Sequence, residues 1–113
     1  MKLSIIIPCY NEQSTIKEII KKINLIRDLN KEIIVIDDCS SDNTREILQN
    51  ELKGSIHKIV LNEKNYGKGY SIRKGIEVSS GDCILIQDAD LEYDPSDYNN
   101  LLSPIINNIA DVV

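Results

Sequence analysis

Four short apolar runs, each closing on a polar loop, constrain this chain more than any other feature. They are "KLSIII", "EIIVIDD", "IHKIVLN" and "DCILIQD". Continuous apolar runs of this length suit strands buried on both faces, as in a parallel sheet. Between the first two, Ile16, Ile19, Ile20, Ile23, Ile26 and Leu29 recur every three or four residues, the stripe of a helix with one buried face. The residues from Asn11 to Thr15 offer capping groups ahead of it, and Pro8 is expected to end the first strand. "SSDNTREIL" opens a second helix, with Asn43 and Glu46 at capping-box spacing. His57 and Lys58 interrupt the third run, which places it nearer an edge. A third helix follows the glycines of "YGKGYSIRKGIEVSSG", with Gly81 marking its end. Asp94 and Pro95 read as N-cap and first residue of a fourth helix reaching Asn108, and "ADVV" begins a fifth strand.

Strand and helix thus alternate through 113 residues with no internal repeat, low-complexity tract or linker. The expected architecture is one α/β domain with a mainly parallel sheet, flanking helices and right-handed crossovers. Ligands of such sheets bind beyond the carboxyl ends of the strands. The chemistry is therefore expected at "PCYNE", "DDCSSDN", "NEKNYGKG" and "DADLEYDP".

A formal charge of −5 argues against a nucleic-acid surface, which needs a clustered basic face. No apolar run is long enough to span a bilayer. The opening "MKLSIIIPCYNE" is too short for a signal peptide, so a cytoplasmic location is expected. Cys9, Cys39 and Cys83 have no C-x-x-C spacing and read as buried reduced thiols, without convergence on His57.

The densest chemistry follows the fourth run, where Asp88, Asp90, Glu92 and Asp94 occupy every second position. Two such carboxylates side by side repel by roughly 2–3 kcal/mol at an effective dielectric near 20. Water, a basic partner or a bound cation can relieve this. Asp88 and Asp90 sit at the expected ligand edge, where a hard Mg2+ or Mn2+ takes carboxylates together with substrate phosphates. Lys68, Arg73 and Lys74 make the glycine loop the most basic segment at that edge, consistent with a nearby phosphate. No glycine fingerprint follows the first strand and no G-K-[ST] follows Lys68, so neither a dinucleotide nor a Walker motif is present. Asp42 and Asn43 read as turn and cap residues. Asp37 and Asp38, being adjacent, should point to opposite faces, one toward the crevice and one supporting the loop.

"SIIIPCYNE", "EIIVIDDCSSDNT", "NYGKGYSIRKG" and "GDCILIQDADLEYDP" together resemble the N-terminal half of glycosyltransferase family 2, of GT-A fold. The nearest branch is that of the dolichol-phosphate mannose synthases and related polyprenyl-phosphate glycosyltransferases. The resemblance covers nearly the whole chain. It implies a donor-binding half cut before the acceptor-binding half, with a UDP- or GDP-sugar as donor. Pro8, Tyr10 and Glu12 would line the base and ribose pocket. Ile36 and Asp38 would contact the nucleobase, with Asp37 structural. Asp88 would lie near ribose and metal, Ala89 would leave room for the nucleotide, and Asp90 would be the principal metal ligand. Glu92 stands where that branch often has Gln, and would also reach the metal.

The implied reaction is an inverting transfer to a polyprenyl phosphate or a glycan, with no catalytic residue beyond the metal site. A polyprenyl-phosphate acceptor would bring the chain to a membrane surface as a peripheral protein. The same truncation implies an uncovered strand and apolar surface, and hence a homodimer. Two rival readings are a catalytically silent nucleotide-sugar-binding remnant and a receiver-like signalling domain. The latter lacks a Lys after a later strand.

Overall fold

The computed structural model describes residues 2–89. The expected fourth helix and the strand opening at "ADVV" lie outside them. Four strands, β1 (Leu3–Cys9), β2 (Lys31–Asp37), β3 (Lys58–Leu61) and β4 (Cys83–Ile86), form one parallel sheet in the order β3-β2-β1-β4. β3 lies at an edge, as its interrupted apolar run predicts. Between the strands come α1 (Ile16–Leu25), a short α2 (Thr44–Glu46) and α3 (Lys68–Val78).

Alternation along β1 splits the core into two layers. Leu3, Ile5, Ile7 and Cys9 face one side with Ile33 and Val35, where Ile16, Ile19, Ile20 and Ile23 of α1 cover them. Ile6 faces the other side with Ile34 and Ile36, joined by Val78 from the end of α3. Each of the four α1 isoleucines is at most 1% exposed, a burial worth roughly 1.5–3 kcal/mol per side chain. On the second face α3 approaches closely through Gly75. A Cβ there would lie 2.5 Å from Ile6 Cγ2 and 2.8 Å from Ile36 Cδ1, so only glycine lets the helix settle onto the sheet.

Four local expectations are corrected. The strand does not stop at Pro8, because β1 pairs with β2 through Cys9. The odd residues of β1 bond toward β2, since Leu3 N–H donates to Asn30 O and Cys9 O accepts from Asp38 N–H. Even residues therefore bond toward β4, where Ile6 O accepts from Gln87 N–H. The next rung would need a proline N–H, and only the β1–β4 ladder ends there. The second helix is α-helical for just three residues before a π turn at Ile47–Glu51. Its expected Asn43 cap makes no side-chain bond. Asp42 Oδ1 accepts from Thr44 N–H at 2.9 Å, while Asn43 N–H is drawn to Gln13 Oε1 at 3.0 Å. α1 likewise lacks a side-chain cap and ends at Leu25, although Ile26 and Leu29 still pack on the core. α3 ends at Val78, and Gly81 lies beyond it, donating its N–H to Ser4 Oγ at 2.8 Å.

At the amino edge, Glu32 is buried at 3% exposure. It accepts from Ser4 Oγ at 2.8 Å and Ser80 N–H at 3.0 Å, and pairs with Lys58 Nζ at 2.7 Å. Lys58 Nζ also donates to Val78 O at 2.6 Å, at the end of α3. Burial pushes the Glu32 carboxyl upward, but Lys58, Ser80 and Ser4 outweigh it and hold the carboxyl at about 2, below its ordinary 4.5. A lowered folded-state value stabilises the fold above the unfolded pKa, and that contribution is lost as pH falls toward the folded one. Glu32→Gln should therefore cost about 1–3 kcal/mol at neutral pH. The gap to wild type should narrow from about pH 4.5 down to about pH 2. Chemical denaturation across that range measures both.

Candidate active site

The carboxyl edge is built from the loops after β1, β2, β3 and β4. Asn11 takes a left-handed conformation (φ 54°), which turns its side chain onto the second loop. Its Oδ1 accepts from Ser41 N–H at 2.8 Å, and its own N–H donates to Ser40 Oγ at 2.9 Å. Glu12 N–H reaches Thr44 Oγ1 at 3.0 Å. "PCYNE" and "DDCSSDN" are thereby fastened into one wall.

Asp37 and Asp38 do face opposite sides. Asp37 is fully buried and accepts from Ser40 N–H at 3.0 Å and Arg45 Nε at 2.6 Å. Arg45 also donates to Asn62 O at the end of β3. Asp38 accepts from Tyr66 N–H and Gly67 N–H, both at 2.8 Å, and from Asn62 Nδ2 at 3.0 Å. Gly67 is the residue before α3 and has φ 96°, a conformation that a side chain would strain. Asp38 thus fixes the turn that launches α3 as well as facing the crevice.

A pocket of about 170 Å³ opens at this edge, lined by Pro8, Cys9, Tyr10, Glu12, Asp38, Lys68, Ser71, Asp88 and Ala89. Clefts that enclose a drug-sized ligand measure roughly 300–1,000 Å³, so these residues shape part of such a site. Seven of the eight residues expected to bind substrate line it. Ile36 does not: its side chain is fully buried against α3, where β-strand parity sends it. Cys9 and Ser71 were not anticipated. Ser71 lies one helical turn beyond Lys68, a spacing that could have revealed it. Burial, reinforced by the neighbouring Asp37 carboxylate, raises the Cys9 thiol far above its ordinary range, so it stays protonated. Cys83 is also buried, whereas Cys39 is only half-buried and donates to Glu63 O at 3.5 Å.

The repulsion expected at the end of β4 meets a basic partner in Lys68, whose Nζ pairs with Asp88 Oδ1 across the pocket. Thr15 Oγ1 donates to Ala89 O at 2.5 Å, with Glu12 Oε2 at 3.1 Å as an alternative acceptor, joining the exit of β4 to the first loop. Asp90 and Glu92 lie outside the described residues. Among the described residues, no three His, Cys, Asp or Glu side chains gather closely enough to hold a metal ion. The acids lining the pocket are all carboxylates, the donor chemistry that a hard divalent cation takes. Tyr10, Tyr66 and Tyr70 are exposed around this edge, with the Tyr66 and Tyr70 rings 4.4 Å apart.

The model of the family described as "Glycosyl transferase family 2" matches residues 4–113. The chain belongs to glycosyl transferase family 2. It is 36% identical over 108 residues to a dolichol-phosphate mannosyltransferase of Pyrococcus furiosus, covering 95% of this chain and 31% of that protein. It is 40% identical over 108 residues to an undecaprenyl-phosphate 4-deoxy-4-formamido-L-arabinose transferase of Yersinia enterocolitica, covering 90% and 33%. It therefore spans about a third of the length of these relatives. Glucosyl-3-phosphoglycerate synthase from Mycobacterium tuberculosis, solved with Mn2+, UDP and glucosyl-3-phosphoglycerate, superposes with a TM-score of 0.74. That match has 27% identity and covers 92% of this chain and 39% of that one. The sheet is that of the GT-A fold, and the receiver-like reading is set aside.

In this family 2 chain, the Asp38 contacts predict a specific weakness. Asp38→Ala leaves two loop N–H groups without their acceptor and should cost about 2–3 kcal/mol of stability. Hydrogen exchange should speed most at the amides of Tyr66 and Gly67, and unchanged protection there would show that the turn is held by other means.

Proposed function

We propose that this chain is the donor-binding part of a metal-dependent, inverting glycosyltransferase that uses a UDP- or GDP-sugar and transfers the sugar to a polyprenyl phosphate. The observation that carries the reading is the convergence of four distant segments, ending in Glu12, Asp38, Lys68 and Asp88, on one pocket at the carboxyl edge. The named substrates of the relatives support the acceptor class, and the UDP and Mn2+ of the synthase structure support the donor and cation.

Tyr10 offers an aromatic face to the base, and the Glu12 carboxylate accepts from ribose hydroxyls. Lys68, with the first turn of α3, would take the diphosphate. Asp88, Asp90 and Glu92 would hold Mg2+ or Mn2+, which supplies Lewis-acid neutralisation of the departing nucleoside diphosphate. A phosphate acceptor is already ionised near neutral pH, its last pKa lying near 6. It can attack the anomeric carbon from the opposite face without a general base. The C–O bond to the diphosphate breaks as the new one forms, and configuration inverts. Among the described residues no helix is long and apolar enough to cross a membrane.

UDP or GDP should bind more tightly with Mn2+ than with EDTA, and Asp90→Ala should erase that difference. Glu12→Ala should weaken nucleotide binding about fivefold or more while keeping the metal effect. Calorimetry showing equal affinity with and without metal would sink the metal site. Unchanged titrations in the Glu12 variant would remove the ribose assignment.

A further inference from the structure

The Lys68–Asp88 pair joins two residues for which the donor-site reading, on which this inference rests, has separate uses. Lys68 opens α3 and Asp88 follows β4, so the pair spans the pocket from wall to wall. Its two ends are unlike. The Asp88 side chain is 20% exposed on the short exit of β4, whereas the Lys68 side chain is 60% exposed on a flexible four-carbon stem. The flexible stem can therefore carry the ammonium off Asp88 while the carboxylate stays in place.

We propose that this is an exchange pair that couples cation binding to donor binding. Without ligands, the ammonium sits on Asp88 where a divalent cation would otherwise approach. A cation taken up by either Asp88 oxygen comes within a few ångströms of the ammonium on Oδ1, and their repulsion favours the release of Lys68. The freed ammonium then faces the donor's diphosphate. In the other direction, a diphosphate draws Lys68 away and uncovers Asp88. Each ligand thus removes a competitor of the other, and the enhancement must be equal in both directions. A lone metal ion meets an occupied carboxylate, and a lone phosphate meets an occupied ammonium. The pocket is tuned to the pair of ligands together.

Calorimetry with Mn2+ alone, UDP or GDP alone, and both together tests this on wild type, Lys68→Gln and Lys68→Arg, with thermal melts confirming that each is folded. Lys68→Gln should bind Mn2+ alone about two- to fivefold more tightly than wild type. Its metal-free nucleotide affinity should fall about tenfold, and the factor by which each ligand enhances the other should shrink. Lys68→Arg should resemble wild type in its affinity for Mn2+ alone. If Lys68→Gln binds Mn2+ no more tightly than wild type, or if the mutual enhancement is unchanged, the exchange is overturned. Wild type that takes up no Mn2+ overturns it as well. Wild type that binds Mn2+ but neither nucleotide defeats the donor-site reading instead, and the Mn2+ titrations still report on whether Lys68 guards Asp88.

Discussion

Two neighbouring carboxylates at the end of β2 organise everything above the sheet. Strand geometry sends Asp37 to the α1 side and Asp38 to the α3 side. Asp37 gathers its own loop and Arg45, and through Arg45 the end of β3. Asp38 gathers Asn62 and the turn into α3. A buried carboxylate is costly unless its oxygens are filled with donors, and each of these is filled from a different chain segment. Satisfying them forces the loops after β2 and β3 into fixed positions, and the pocket is what lies between those positions and the ends of β1 and β4.

Much of this was legible in the sequence because it depends on short-range rules. Unbroken apolar runs announced the strands, the isoleucine spacing announced α1, and the polar strand exits announced the ligand edge. The failures came where long-range bonds outcompeted local ones. Asn43 and Glu46 had the spacing of a capping box, yet Gln13, some thirty residues away, holds the Asn43 amide while Asp42 takes the Thr44 amide. Ile36, tied to the nucleobase by resemblance, shares the parity of Ile34, which turns its side chain into the α3 layer and away from the pocket lining. Nothing in the spacing of Lys68 and Asp88 foretold that they would meet, since their pairing depends on where β4 falls relative to α3.

Stability and chemistry occupy opposite ends of the same strands. Glu32, Lys58 and Ser80 close the amino edge beneath the end of α3, while the pocket opens at the other. The amino edge is a dense cluster in which the buried Glu32 carboxylate is held by Ser4, Ser80 and Lys58. The carboxyl edge instead carries an ion pair across its pocket, between the exposed Lys68 and the largely buried Asp88.

Pro8 gives the crevice its origin. β1 keeps bonding to β2 through Cys9, but on its other side the seam with β4 stops after Ile6 and Gln87. From there the two strands are no longer stitched together, and Asp88 and Ala89 are released to form a wall instead of extending the ladder. The opening is written into the backbone as a single missing hydrogen, so reshaping the side chains around the pocket can change what it holds without sewing it shut.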